Sequence, residues 1–148
     1  MRTYYILFTV LFCACFGARS LAQELPESVI IGTWVLDYDA TFSKMDNQMK
    51  SAMDSIPQTH KVNIKNSYRG RTMVFDPNSE FSLLFQDGRK VDGDWSIEQN
   101  GNTLVLTDPN GYKYPHKVKE LTSNSMVLKL EDSDGSKLFV KELYFIKN

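Results

Sequence analysis

The sequence predicts an all-β protein, an eight-stranded antiparallel up-and-down β-barrel with a helical insertion between its first two strands. Three observations carry that expectation. Turn clusters punctuate the chain at roughly ten-residue intervals, the length of a strand plus a turn. The segments between them alternate apolar and polar residues with period two, the mark of a half-buried strand. The pattern breaks once, over residues 41–69, where apolar residues recur at helical spacing.

The first strand is expected over Ile30–Tyr38. After it Phe42, Met45, Met49, Met53 and Ile56 step by three and four, predicting a helix that Thr41 or Ser43 caps and Pro57 ends. Gln58–Arg69 places His60, Ile64 and Tyr68 at four-residue steps, with Gly70 where a helix C-terminus favours glycine. Val62 and Ile64 also alternate there, so a strand stays open as the second reading; a second short helix is favoured. Strands then follow over 71–76, 80–86, 89–98, 103–108, 112–121, 125–131 and 137–146. Asp76-Pro77-Asn78-Ser79, Asp87-Gly88, Asn100-Gly101, Asp108-Pro109-Asn110-Gly111, Thr122-Ser123-Asn124 and Asp132-Ser133-Asp134-Gly135 separate them. Asp-Gly and Asn-Gly are the dipeptides that two-residue hairpins prefer.

Phe81, Leu83 and Phe85 share one expected face, as do Gly93, Trp95 and Ile97, then Leu104 and Leu106, then Met126, Leu128 and Leu130. Connections this short make neighbouring strands antiparallel. One helical pair cannot cover eight strands, so the sheet must close on itself or fold into a sandwich. Uniform sequential hairpins favour the barrel. Eight strands enclose an interior just wide enough for side chains or one small ligand.

The N-terminus follows different rules. Arg2 precedes an apolar run from Tyr4 to Ala18, and Ser20-Leu21-Ala22 places small residues at the −3 and −1 positions before Gln23. This predicts a signal peptide over 1–22, a short linker over 23–28 and a barrel domain over 29–148. The apolar run is shorter than the roughly 20 residues of a membrane span, so no transmembrane span is expected after cleavage. The expected location is periplasmic or secreted. Cys15 offers a rival reading as a lipid-bearing N-terminus, but Phe12-Cys13-Ala14 fits a lipidation site poorly. Cys13 and Cys15 both lie in the removed segment, leaving the mature chain without disulfides.

With 17 basic and 18 acidic residues and no basic face or run, nucleic acid is not an expected partner. A conventional zinc site is not expected either, because outside the leader only His60 and His116 are available and no cysteine remains. Asp132-Ser133-Asp134-Gly135 has part of a calcium loop but lacks its spacing and terminal glutamate. No nucleophile elbow occurs. Asp37 with Asp39, and Asp92 with Asp94, lie near strand ends where carboxylates usually face water. The expectation is a protein that is not an enzyme and needs no cofactor.

Gly32-Thr33-Trp34, Phe85-Gln86-Asp87-Gly88, Gly93-Asp94-Trp95-Ser96-Ile97, Leu104-Val105-Leu106, Val118-Lys119-Glu120-Leu121-Thr122 and Met126-Val127-Leu128 occur in that order. So arranged, the chain resembles the lipocalin-like domains of secreted proteins of Bacteroides-type bacteria, over about residues 29–146. The resemblance implies a calycin-like barrel whose glycine-tryptophan pair closes one end, with Trp34 packed across the base, and a generic binding role without a specified ligand. The helical insert departs from the Ω-shaped loop of lipocalins proper. It is similar to the lid of intracellular fatty-acid-binding proteins, but those are not exported, and this chain lacks their basic pair on the last strand, so their carboxylate site is not carried over.

Candidate ligand-binding residues are the large or polar side chains expected to face inward. Trp34 and Trp95 serve either as core plugs or as pocket walls. Phe85 shares the face of Phe81. Tyr112, Tyr114 and His116 share the face of Val118. Glu142 and Tyr144 share that of Leu138, Val140 and Ile146. The helix bearing Met45, Met49 and Met53 is read as a plug or as a lid. The leading function is binding of a small hydrophobic or amphipathic molecule in the barrel. The alternative is a structural or protein-interaction module whose interior its own side chains fill.

Overall fold

A computed structural model describes residues 25–98, 101–130 and 140–148. The leader, the linker's first residues and the Asp132–Gly135 turn lie outside the described residues. The chain runs α1 (Glu27–Ile30), β1 (Gly32–Leu36), α2 (Tyr38–Ser43), α3 (Asn47–Ser55), α4 (Gln58–Tyr68), β2 (Thr72–Phe75), β3 (Glu80–Leu84), β4 (Lys90–Ile97), β5 (Thr103–Thr107), β6 (Lys113–Leu121), β7 (Ser125–Leu130) and β8 (Glu142–Lys147). Each strand pairs antiparallel with the next, and β8 returns to β1, so the sheet is a closed barrel in sequence order. Among the described residues, no helix is long and apolar enough to cross a membrane.

The seam between the first and last strands pairs Trp34 with Lys147, Val35 with Ile146 and Leu36 with Phe145. Closure leaves no edge carrying unpaired backbone groups. It also fixes an inside: Trp34, Leu36, Met73, Phe75, Phe81, Trp95, Leu104, Leu106, Val118, Met126, Leu128, Leu143 and Phe145 form one buried cluster. Burying each such side chain stabilises the fold by about 1.5–3 kcal/mol before chain entropy is counted.

One barrel end is plugged. α1 lies there with Ile30 fully buried, and the Trp34 Nε1–H donates to the Ile30 carbonyl at 2.6 Å. Lys147 Nζ donates to the Val29 carbonyl at 2.8 Å and stands 5.0 Å from the Trp34 ring centroid. Gly32 has φ +130°, a backbone conformation that favours glycine; a Cβ there would meet only the movable end of Lys147, Cε at 2.8 Å, so the glycine of Gly-x-Trp is needed for backbone shape. The base closure that the resemblance implies for Trp34 is therefore present.

The insertion has three helices. The expected helix over Phe42–Ile56 is divided at Lys44–Asp46, because Asp46 caps a new start by accepting the Met49 N–H at 2.7 Å. Its first part begins at Asp37, which accepts the Ala40 N–H at 2.9 Å; Thr41 and Ser43 lie inside α2 and are not its caps. Thr41 is buried, and its Oγ1 accepts the Tyr144 N–H at 3.2 Å, fastening α2 to β8. Gln58–Tyr68 is helical, as favoured, and Gly70 follows it at φ +65°.

Two strands depart from simple alternation. β6 carries a bulge between Val118, opposite Leu128, and Glu120, opposite Val127. On the last strand, Val140 is buried but the regular ladder starts only at Glu142, and from there Leu143 and Phe145 face inward. The expected inward set of Glu142, Tyr144 and Ile146 is one residue out of phase with the observed set, because Val140, whose burial suggests that phase, precedes the ladder and a one-residue slip turns every inward side chain outward.

Gly93 lies in β4 where its neighbours approach closely. A Cβ there would sit 2.1 Å from the Thr107 carbonyl oxygen and 2.7 Å from Phe81 Cε1. Backbone cannot swing aside as a side-chain end can. Gly93→Ala is therefore expected to lower unfolding stability by about 1–3 kcal/mol in urea titrations. Gly88→Ala, with open space around it but φ +86°, is expected to lower it by about 1–2 kcal/mol through backbone strain alone. Equal stability of Gly93→Ala and the wild type would contradict the close approach.

Candidate functional site

The interior is not filled to its full height. A cavity of about 560 Å³ occupies the half away from α1. Its walls come from seven strands: Met73 of β2, Phe81 and Leu83 of β3, Val91 of β4, Leu106 of β5, His116 of β6, Leu130 of β7, and Leu143 and Phe145 of β8. Alternation supplies this lining, since Met73 and Phe75, Phe81 and Leu83, and Leu143 and Phe145 step inward two by two. Its mouth lies at the end where β2, β4 and β6 begin. Arg71, Asp108 and Tyr114 are the polar residues there. No residue of α2, α3 or α4 lines it. Phe42 and Met45 instead pack against the core cluster, and Met53 is buried, so those helices behave as packing elements.

Arg71 directly precedes β2, in phase with Met73 and Phe75. Its guanidinium carbon stands 4.3 Å from the Tyr68 ring centroid and 5.2 Å from that of Phe85. One terminal nitrogen donates to the Ser67 carbonyl at 2.9 Å, while Nε is buried and has no hydrogen-bond partner. Burial pulls its pKa downward, with Tyr68 opposing the shift and Arg89 adding to it. A guanidinium nonetheless stays protonated at any physiological pH. Across the mouth, Asp108 is occupied: it accepts the N–H groups of Asn110 and Tyr112 at 2.9 Å each and the Tyr114 hydroxyl at 3.3 Å.

His116 is buried in the wall. A carbonyl can only accept, so its contact of 2.8 Å with the Tyr114 carbonyl makes Nδ1 the donor and leaves Nε2 as an acceptor when the ring is neutral. Burial lowers its pKa from the ordinary 6.5, outweighing that hydrogen bond.

Of the seven candidates, Tyr114 and His116 line the cavity; Trp34, Phe85, Trp95, Tyr112 and Tyr144 do not. Trp34 belongs to the plugged end. Trp95 is buried with its Nε1–H on the Asp76 carbonyl at 3.1 Å and its ring edge-on to Phe75. Phe85 falls just past β3 and stacks between Arg71 and Arg89 on the outer side of the rim. Tyr112 precedes β6 in the hairpin and is 67% exposed. Tyr144 points outward, its hydroxyl on Glu142 at 3.0 Å and Lys44 over its ring. Of the acidic pairs, Asp37 is a helix cap, and Asp92 is an exposed surface residue bound to Lys90 at 2.7 Å and Ser82 at 2.6 Å. Arg71 and Asp108 were not among the candidates. Arg71 was accessible from the alternation Arg71-Met73-Phe75, which sets it on the inner face.

A base whose pKa is lower folded than unfolded gives the unfolded chain the extra proton, so stability falls as pH drops from 6.5 toward the folded value. Denaturant titrations between about pH 7.5 and 5 should show wild type losing stability relative to His116→Gln, by at most about 1.4 kcal/mol per pH unit. Parallel pH profiles would show that His116 titrates alike in both states.

Among curated proteins, none matches this sequence. Among solved structures, the chain is similar to a DUF4847 family protein from Bacteroides vulgatus, with a TM-score of 0.45 and 18% identity over 82% of this chain and 96% of that one. The profile of a family described as the lipocalin-like domain matches residues 30–128, from the end of α1 into β7, and the chain belongs to that lipocalin-like domain family.

Proposed function

We propose that this protein binds one small hydrophobic or amphipathic molecule inside its barrel, and that it does so after export to the periplasm or the medium. The observation that carries the binding reading is the cavity. At about 560 Å³ it falls within the 300–1,000 Å³ typical of ligand pockets, with apolar walls and a few convergent polar groups. The mechanism is burial of apolar surface, worth about 25 cal/mol per Å² before the costs of association. Tyr114, His116 and Arg71 supply orientation. The reading is of a carrier: Asp108 is held by three donors of its own hairpin and His116 by the Tyr114 carbonyl. The alternative of an interaction module requires a filled interior, which the cavity disfavours.

Export rests on the leader pattern of residues 1–22. Protein recovered from its own host is expected in the periplasm or medium with Gln23 at its N-terminus. A chain starting at Met1, or a lipid on Cys15, would overturn this part.

Binding is tested with anilinonaphthalene sulfonate and native mass spectrometry. The dye should bind at one per chain, and Leu83→Trp, which puts a bulky ring into the path of the bound molecule, should weaken it by about tenfold or more, some 1.4 kcal/mol. Protein purified from its host should carry one retained small molecule. A dye response that Leu83→Trp leaves unchanged would place the binding elsewhere and sink the proposal.

A further inference from the structure

The cavity lining contains one arginine and one acidic residue, and the two do not pair. Asp108 spends its oxygens on Asn110, Tyr112 and Tyr114. Arg71 makes no ion pair with any carboxylate among the described residues, although ion pairs hold the nearby Arg89 to Asp87 at 2.8 Å and Lys90 to Asp92 at 2.7 Å. The Phe85 ring has guanidinium groups near it from two sides, Arg71 at 5.2 Å and Arg89 at 4.7 Å. Burying a cation is costly unless it is paired and hydrogen-bonded. Here the guanidinium has aromatic faces, one carbonyl and an Nε–H with no acceptor.

We infer that Arg71 receives the anionic head of the ligand, a carboxylate carried on an apolar tail that runs down the cavity past Leu83 and Phe81 toward Phe145. This rests on the reading of the barrel as a binding site and names the class of molecule it takes. The planar fork of a guanidinium matches a carboxylate in geometry and charge, and such charge-assisted pairs are about twice as strong as neutral hydrogen bonds. A single charge fits the site better than a phosphate dianion, because Arg89 is already neutralised by Asp87 and the His116 imidazole is neutral at pH 7. The aromatic rings of Tyr68 and Phe85 hold the guanidinium plane at the rim, and a small turn of the side chain brings its free N–H groups to the head. Tail chemistry is then set by the apolar wall, and register by Arg71.

The test is displacement of anilinonaphthalene sulfonate by dodecanoate, dodecanol and dodecyl phosphate, on the whole mature protein at pH 7.5. Dodecanoate should bind at least about tenfold more tightly than dodecanol, and more tightly than dodecyl phosphate. Arg71→Gln should erase the acid's advantage by weakening dodecanoate about tenfold or more and dodecanol much less, with circular dichroism matching wild type to show that the variant is folded. Arg71→Lys should keep part of the preference. Equal binding of acid and alcohol by wild type, or an equal loss of both in Arg71→Gln, would overturn the assignment of Arg71 and leave the cavity reading standing. A phosphate preference would overturn the carboxylate. Failure of all three to displace the dye would remove both readings.

Discussion

The pairing of the first strand with the last is the constraint on which the rest of the structure depends. β1 is five residues long and is separated from β2 by a helical insertion, so its place cannot come from a hairpin. It is held by β2 on one side, where the Leu36 N–H donates to the Arg71 carbonyl at 2.9 Å, and by β8 on the other. At the seam the Asp37 N–H reaches the Tyr144 carbonyl at 2.8 Å and the Asn148 N–H reaches the Thr33 carbonyl at 2.9 Å. Each such bond contributes only about 0.5–1.5 kcal/mol net. Without the seam, however, two edge strands would face water and the inner face would have no opposite wall. Closure is what turns period-two alternation into an inside.

The two barrel ends then differ for local reasons. At one end Trp34, α1 and Lys147 interlock, with a glycine at φ +130° shaping the backbone. At the other end the cavity lies between Met73, Phe81, Leu83, Leu106, Leu143 and Phe145. Its rim sorts its charges. Asp108 is absorbed by its own hairpin, while Arg71 stacks on rings and stays without an anion. The apolar interior and this uneven rim together give the site a direction, with the tail inward and the head at the mouth.

Much of this was legible in the sequence because sheets repeat every two residues and turns are written in Asp-Gly and Asn-Gly pairs. The strand order, the number of strands and the helical insert followed from that grammar. Trp34 at the closed end followed from Gly32-Thr33-Trp34. Side-chain phase failed where the chain leaves regular geometry. Tyr144 shares the parity of the buried Val140, yet Leu143 and Phe145 are the buried residues of β8, so burial changes phase between Val140 and Leu143. Phe85 and Tyr112 share the parity of true lining residues but stand outside the cavity, Phe85 against Arg71 and Arg89 and Tyr112 exposed in its hairpin. The helix boundary at Asp46 was missed because a cap within an apolar repeat competes with the repeat itself. Arg71 stands outside the aromatic and histidine set that the sequence suggests, although the inner-face pattern of β2, Arg71-Met73-Phe75, contains it.

Residue-resolved amide hydrogen exchange across Val35–Asp37 and Tyr144–Ile146 tests the central claim, closure of the barrel, most directly. A closed cylinder predicts that amides facing the seam, Asp37 foremost, exchange as slowly as those of Leu104–Leu106 in the middle of the sheet. Fast, edge-like exchange at alternate residues of both segments, with the intervening amides protected, would show an open sheet and contradict the account.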